Sequence, residues 1–99
     1  MISRQWHGLA RAERAADYIR HLQTETFPAL RSIPGFVDAS ILTRTLPRGV
    51  EFQIVTRWNS IEAIAKFAGT DPEVSVVPPP VRAMMIEYDL RAKHFEVVG

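Results

Sequence analysis

The chain has three histidines, and they are the first candidates for acid–base chemistry because the ordinary pKa of an imidazole lies near neutral pH. His7 and His94 fall on the predicted first and last strands, whereas His21 falls on the outer side of a predicted helix and is expected at the surface. If His7 and His94 point into one cavity, one of them could be a general base for a phenol or an activated C–H. The alternative is a hydrogen-bonded histidine at a seam between two subunits. Without a placed carboxylate, two histidines do not make a zinc site, so no metal is expected.

Aromatic and cationic side chains supply candidates for ligand binding. Trp58 could stack on a planar substrate, or it could be a core residue at a strand-to-helix corner. Phe67 could line an apolar pocket. Arg57 and Arg82 could stabilise an oxyanion as fixed cations, although a solvated or ion-paired arginine is the alternative. Tyr88 could donate a hydrogen bond to a quinone oxygen, or it could be a half-buried strand tyrosine.

Composition excludes several classes of protein. With 99 residues, 46% of them hydrophobic, the chain is expected to form one domain over residues 1–99. A net charge of +1 gives no general attraction to nucleic acid or membranes. The chain has no cysteine, no phosphate-binding glycine loop and no apolar run near the roughly 20 residues of a membrane span. The N-terminal residues have no signal-peptide pattern, so a cytoplasmic location is expected.

The clearest local pattern runs from Glu51 to Gly69. Residues 51–58 alternate, with Phe52 and Trp58 among the apolar set on one face, which is typical of a strand. From Asn59 the apolar residues recur at helical spacing. Asn59 is therefore the predicted N-cap, and Gly69 is placed to end the helix.

Other patterns place the remaining elements. Pro28 lies inside a long helical pattern that begins at Ala10, so a kink or a restart is expected there. Asp71 and Pro72 predict the start of a further helix. The complete order is β-α-β-β-α-(α)-β. It predicts an α+β fold of the ferredoxin-like split βαβ type, in which an antiparallel sheet carries helices on one face.

The last predicted strand, residues 88–98, loses its alternation. Tyr88 and Leu90 share one parity, but Phe95 and Val97 continue on the other. Either a β-bulge near His94 turns the chain, or the tip leaves its own sheet and meets a partner, and the second interpretation is favoured. The uncovered sheet face also needs a partner, so a homodimer through the sheet face and the C-terminal strand is expected.

Three segments together resemble the antibiotic biosynthesis monooxygenase type of dimeric α+β barrel proteins. They are residues 57–69, with Arg57-Trp58-Asn59-Ser60 and Phe67-Ala68-Gly69, residues 71–78, ending in Val76-Val77-Pro78, and Tyr88-Asp89 with Lys93-His94-Phe95-Glu96-Val97. The resemblance implies a homodimer whose two sheets form a barrel, with a pocket between sheet and helices in each subunit. It also implies a cofactor-free oxygenase acting on a planar aromatic or quinol-like molecule.

The resemblance extends to particular residues. The Asn-Trp-Tyr-Arg set that positions a phenol in one branch has possible counterparts in Asn59, Trp58, Tyr88 and Arg82. The haem-degrading branch has a tryptophan where this chain has Phe67, a histidine around Val76 or Val77, and an asparagine on the first strand, where Gln5 or His7 stands. These departures disfavour haem degradation, and no cofactor is expected. A non-catalytic small-molecule-binding or structural dimer, and a cofactor-free isomerase or decarboxylase-like enzyme, are the alternatives.

Overall fold

Five antiparallel strands form the single sheet of a computed structural model that describes residues 1–99. β1 (Ile2–Ala10) is central and pairs along its full length with β3 (Gly49–Trp58), which in turn pairs with β2 (Phe36–Leu46). The other edge of β1 pairs with two short strands, β4 (Met85–Tyr88) and β5 (Lys93–Glu96). This order, β2-β3-β1-β4, confirms the predicted α+β arrangement.

Alternation along the strands separates two faces of the sheet. The predicted face of β3 is confirmed: Phe52 and Trp58 are fully buried against the helices, with Ile54 and Thr56 between them. In β1 the residues opposite this set are the even-numbered ones, so Trp6 packs in the same layer. The odd-numbered residues of β1 and β3 face away from the helices. We call these two sides the inner face and the outer face.

A helical stretch from residue 12 to residue 31 covers the inner face. It consists of a 3₁₀ turn (Ala12–Arg14), α1 (Ala15–His21), a π-helical turn (Leu22–Thr26) and α2 (Phe27–Arg31). In an α-helix the ring of Pro28 would clash with the carbonyl four residues earlier. The wider π turn comes just before this proline, so the helix continues instead of breaking.

The strand-to-helix corner forms as predicted except for its capping residue. α3 (Ile61–Ala68) follows β3, and Ser60, not Asn59, is the N-cap, because its hydroxyl accepts a hydrogen bond from the amide of Ala63. The amide of Asn59 instead donates to the carbonyl of Gly35 at 2.7 Å, which holds the corner against the start of β2. Gly69 ends α3 with φ of +96°, as predicted.

The predicted helix at Asp71 and Pro72 does not form. Residues 70–78 are irregular, and the next helix is α4 (Pro79–Met84), whose first two residues are prolines. Prolines are tolerated in the first helical turn because the amide protons there have no intrahelical acceptor.

The last predicted strand is interrupted, and its tip stays in the sheet. Gly8 pairs with Tyr88 and Gln5 pairs with Lys93. Three steps along β1 therefore correspond to five steps along the segment of the same chain that contains β4 and β5. The two extra residues are accommodated in an excursion at residues 89–92. The expectation that the tip leaves its own sheet is therefore wrong, because β5 pairs with β1 over four residues.

Packing between the inner face and the helices creates one core cluster of 15 buried residues. Its largest fully buried side chains are Trp58, Phe52, Leu30 and Ile64, which come from β3, α2 and α3. No helix is both long enough and apolar enough to cross a membrane.

Candidate functional site

A cavity opens between the inner face of the sheet and the helices. Its volume is about 60 Å³, or about 570 Å³ when all surrounding empty space and open solvent at the mouth are included, and ten of its 14 lining residues are hydrophobic. The lining comes from β1 and β3 on one side and from the 15–31 helical stretch, α3 and residues 76–81 on the other. The lining residues are Arg4, Trp6, Tyr18, Leu22, Thr26, Phe27, Leu30, Ile54, Thr56, Phe67, Val76, Val77, Pro78 and Val81.

Arg4 is the one charged residue of this lining. It lies on the inner face of β1 and is only 5% exposed. Its Nη2 donates to the carbonyl of Val74 at 2.9 Å, and its Nη1 donates to the carbonyl of Pro72. The guanidinium also lies 5.8 Å from the centre of the Phe67 ring, within cation–π range. Burial lowers the pKa of Arg4 to about 10 despite the opposing charge of Glu73, so the side chain is a cation at neutral pH.

His94 contacts Arg4 from the neighbouring strand. The two residues are paired in the β1–β5 register, and Nη1 of Arg4 lies 2.9 Å from Nε2 of His94. Because an arginine can only donate, Nε2 must be the acceptor, and a neutral ring then carries its proton on Nδ1. Burial and the nearby Arg4 charge lower the pKa of His94, while Glu73 opposes them. His94 is therefore a neutral ring that holds Arg4 in place.

Tyr18 brings a hydroxyl group to the opposite wall. The residue is 4% exposed, and its ring packs edge-on against Phe52, with 4.8 Å between ring centres. The hydroxyl makes no hydrogen bond within the chain, yet no fully enclosed polar side-chain atom lacks a partner. The hydroxyl must therefore open onto the cavity. Burial raises the pKa of Tyr18 well above its usual value, so it stays a neutral phenol.

The irregular residues 71–78, which we call the cover segment, close the cavity near its mouth. Besides Arg4, the excursion at residues 89–92 holds this segment: the amide of Ser75 donates to the carbonyl of Leu90 at 3.1 Å, and the amide of Ala92 donates to that of Glu73 at 2.7 Å. Arg91 adds ion pairs to Asp71 and Glu73 at 3.0 and 3.3 Å. The interruption of the last strand thus supplies the anchor for the cover segment.

The two histidines predicted as bases are not brought together. β1 and β5 are adjacent, but His94 is on the inner face and His7 on the outer face. His7 Nε2 lies 2.8 Å from Glu51 Oε2, and Arg44 binds the other oxygen of that carboxylate at 2.6 Å. Hydrogen bonds from His7 and then Arg44 lower the pKa of Glu51. No group of three histidine or acidic side chains is placed to hold a metal ion.

Of the predicted substrate-binding residues, Phe67 lines the cavity. Trp58 is fully buried behind it, with its ring stacked on Phe67 at 6.3 Å and its Nε1 donating to Thr56 Oγ1 at 2.8 Å. Tyr88 is half-buried beside Trp6 and lies outside the lining, and Asn59 and Arg82 are exposed. The structure therefore brings Phe67 together with Arg4 and His94, and leaves the other four around the edge of this region.

Arg4 and Tyr18 were not among the predicted site residues, although the sequence carried a signal for each. In the alternation of β1, Arg4 shares a face with Ile2 and Trp6, so a charge stands in an otherwise apolar set. Tyr18 lies four residues before Leu22, on the stripe that faces the sheet.

The fold is similar to that of solved antibiotic biosynthesis monooxygenases, which confirms the resemblance at the level of fold. A solved structure named as an antibiotic biosynthesis monooxygenase matches with a TM-score of 0.70 at 17% identity, over 100% of both chains. The monooxygenase ActVA-Orf6 of Streptomyces coelicolor, in complex with nanaomycin D, matches with a TM-score of 0.71 at 14% identity, over 99% of this chain and 88% of that one.

A third similar structure is a mutant of MhuD with two manganese protoporphyrin IX molecules bound per active site. Its TM-score is 0.68 at 20% identity, and the match covers 99% of this chain and 95% of that one. No protein-family model and no curated protein sequence matches the chain.

The fold by itself does not exclude haem, since MhuD binds a metalloporphyrin. The lining residues of this chain, however, do not fit an iron ligand. No histidine lines the cavity, and Phe67, Val76 and Val77 occupy the lining where the haem-degrading branch has a tryptophan and a histidine. Tyr18 is the remaining lining side chain that could bind iron, and its raised pKa keeps it protonated.

Proposed function

We propose that this protein is a small cofactor-independent monooxygenase that acts on a planar aromatic or quinol-like molecule. The observation that carries the proposal is the cavity, which has mainly apolar and aromatic walls and contains a single buried cation. Ligand sites are typically concave, mostly apolar and equipped with a few fixed polar groups. The likeness in fold to solved monooxygenases supports the same class of reaction.

The proposed reaction draws its electrons from the substrate. An activated CH₂ group flanked by aromatic rings loses a proton to water at the open mouth of the cavity, and the resulting carbanion, or its enolate form, passes electrons to O₂. Both C–H bonds break, one oxygen atom becomes the new carbonyl, and the other leaves as water, so no external reductant is consumed. Of the two predicted bases, His94 is the nearer to the cavity, but its Nε2 already accepts a hydrogen bond from Arg4. We propose that His94 positions Arg4 and does not take the proton, and that the Arg4 cation favours the ionised substrate.

Oxygen uptake by metal-free protein with a panel of anthrones and quinols tests this function. We expect uptake with at least one member, together with formation of the corresponding quinone. Val77→Phe places a ring in the lining near the mouth and should raise KM about tenfold or abolish turnover. Val98→Phe is the matched control, since Val98 is 94% exposed outside the cavity.

The same experiment distinguishes the alternatives. Ligand binding without oxygen uptake or product formation would contradict the enzyme proposal and support a non-catalytic binding dimer. Product formation without oxygen uptake would instead support a cofactor-free isomerase or decarboxylase-like enzyme.

We further propose that residues 1–99 act as one domain that forms a homodimer through the outer face and β5. Exposed apolar side chains on this side support the proposal: Leu42 is 53% exposed and Phe95 is 49% exposed. A second subunit placed sheet to sheet would cover them and form the barrel that the resemblance implies. The cytoplasmic location expected from the sequence stays a prediction.

A further inference from the structure

Arg4 is a buried cation that has no carboxylate partner. Its hydrogen-bond partners are two carbonyls, of Pro72 and Val74, and the neutral ring of His94, and it forms no salt bridge within the chain. Glu73, whose charge raises the Arg4 pKa, is itself paired with Arg91. Charges removed from water are normally paired, because an unpaired buried charge costs several kcal/mol. Arg4 therefore has no anion in direct contact, and its charge is balanced only at longer range, by the two carboxylates Asp71 and Glu73 that share Arg91.

Some N–H groups of the Arg4 guanidinium make no hydrogen bond within the chain. Of the five N–H donors of an arginine, three are used by the partners named above. The two that remain belong to Nε and Nη2. Since no fully enclosed side-chain nitrogen lacks a partner, Nε is not fully enclosed, and Arg4 lines the cavity. Unused donors of a planar guanidinium match the oxygens of a carboxylate or another oxyanion.

We propose that Arg4 is the anion-binding group of the cavity and that the natural ligand is a flat aromatic molecule with an oxyanion at one edge, a carboxylate, phenolate or enolate. Trp6, Phe27 and Phe67 supply apolar surface for the rings, and Arg4 neutralises the oxyanion. His94 is a positioning residue, because it contacts Arg4 and is absent from the lining. This inference rests on the proposed function for the site and adds the charge of the substrate.

Two probes of the same shape but different charge test the proposal directly. 2-Naphthoate is an anion at pH 7, whereas 2-naphthamide is neutral, and both can be titrated against tryptophan fluorescence or by calorimetry. We expect the protein to bind the naphthoate at least about tenfold more tightly, since hydrogen bonds to charged groups are worth that much or more. Arg4→Gln should abolish the preference while binding of the amide is retained. Equal binding of the two probes, or no binding of either at millimolar concentration, would overturn the proposal.

Matched variants keep the result interpretable. Arg11→Gln removes the same charge from an exposed residue without ion-pair partners and should leave the preference unchanged. Arg4→Lys keeps the charge but loses the planar guanidinium, and it should retain part of the preference if Arg4→Gln does not fold. If a folded Arg4→Gln variant kept the full wild-type preference for 2-naphthoate over 2-naphthamide, Arg4 would not be the anion-binding group.

Oxygen uptake separates this inference from the proposed function. A charge preference that depends on Arg4, without any oxygen uptake, would support the anion site and contradict the oxygenase. Oxygen uptake by Arg4→Gln with unchanged KM and kcat would support the oxygenase and contradict the anion site.

Discussion

At the scale of single residues, the contact between Arg4 and His94 joins two strands and one cavity wall. The guanidinium can donate to Nε2 only while the imidazole is neutral. Protonation of the ring would remove the acceptor and place two positive charges side by side. Protonation of His94 would therefore leave Arg4 with only its hydrogen bonds to the carbonyls of Pro72 and Val74.

This contact predicts a dependence of stability on pH. The pKa of His94 is lowered in the folded protein by burial and by Arg4, whereas the unfolded chain has the ordinary value of about 6.5. The unfolded state thus takes up the proton first as pH falls, so the contribution is fully present above about pH 6.5 and is lost below it. His94→Gln, whose side-chain oxygen can accept from Arg4 without titrating, should lose less stability than the wild type between pH 8 and pH 5.

Urea unfolding at both pH values measures the difference. Three carboxylates have pKa values lowered by hydrogen bonds to cations and His7, namely Asp38, Glu51 and Asp71. Any stability that the protein loses as these carboxylates become protonated is the same in the wild type and in His94→Gln. An identical pH dependence in wild type and His94→Gln would contradict the prediction.

The sequence predicted which residues share a strand face with Arg4 but not its surroundings. Alternation in β1 groups Arg4 with Ile2 and Trp6 on one face of the strand, and the structure shows that this face is the inner one. An arginine in such a position usually extends its charged end to water. Whether it does here depends on the carbonyls of Pro72 and Val74, which lie about seventy residues further along the chain, so no local pattern could reveal it.

At the scale of elements, two neighbouring residues stabilise the strand-to-helix corner through different hydrogen bonds. Ser60 caps α3 with its side chain, whereas Asn59 ties the corner to Gly35 with its backbone. Because asparagine and serine are both good N-caps, the sequence alone left the choice between two adjacent positions open.

The two residues should therefore respond differently to substitution. Ser60→Ala should lower the free energy of unfolding by about 1 kcal/mol, because the amide of Ala63 loses its acceptor. Asn59→Ala keeps the backbone bond to Gly35 and should change the free energy of unfolding by less than about 0.5 kcal/mol. Chemical denaturation of both variants checks this, and equal losses would argue against Ser60 as the cap.

Two glycines with nearly the same φ allow a second matched comparison. Gly35 has φ of +97° and Gly69 has φ of +96°, so alanine is strained at both positions by about 1–3 kcal/mol. A Cβ at residue 69 would meet nothing within 4 Å, but at residue 35 it would lie 2.7 Å from the Cβ of Ala63. Gly35→Ala should consequently lower the thermal midpoint more than Gly69→Ala, and the reverse order in calorimetry would contradict the packing described here.

The irregular cover segment shows where local signals stop being sufficient. Asp71 and Pro72 form a good helix-start pattern, yet the residues that follow are held by Arg4 and by the excursion at residues 89–92. Contacts with distant parts of the chain override a weak local preference. Strand β3 and helix α3, by contrast, follow their own periodicity, and both were predictable.

At the scale of the whole molecule, the sheet separates two chemically different sides. The inner face carries the cavity with Arg4 and His94, and the outer face carries the cluster of His7, Glu51 and Arg44. His7 and His94 therefore cannot belong to one active site within a single subunit.

The outer face also yields a prediction about assembly. Leu42→Glu and Phe95→Glu place charges on exposed positions of this face and should shift the molecular mass in light scattering at micromolar concentration from dimer to monomer. Leu90→Glu is the control, because Leu90 is 76% exposed in the excursion at residues 89–92 and belongs to none of the paired strands. A monomeric wild type would refute the dimer, and a dimer in all three variants would place the interface elsewhere.

The π-helical turn at Leu22–Thr26 has a consequence for how this gene can change length. A π turn holds one residue more than a regular helical turn, so deletion of one codon there would leave a continuous α-helix. The π turn and the α turn each complete about 360°, so α2 would keep its orientation toward the sheet, but the widened turn before Pro28 would be lost. The ring of Pro28 would then clash with the carbonyl four residues earlier in a regular α-helix, at a cost of about 3 kcal/mol. We expect this short stretch to tolerate many single-base substitutions but no in-frame loss of a codon.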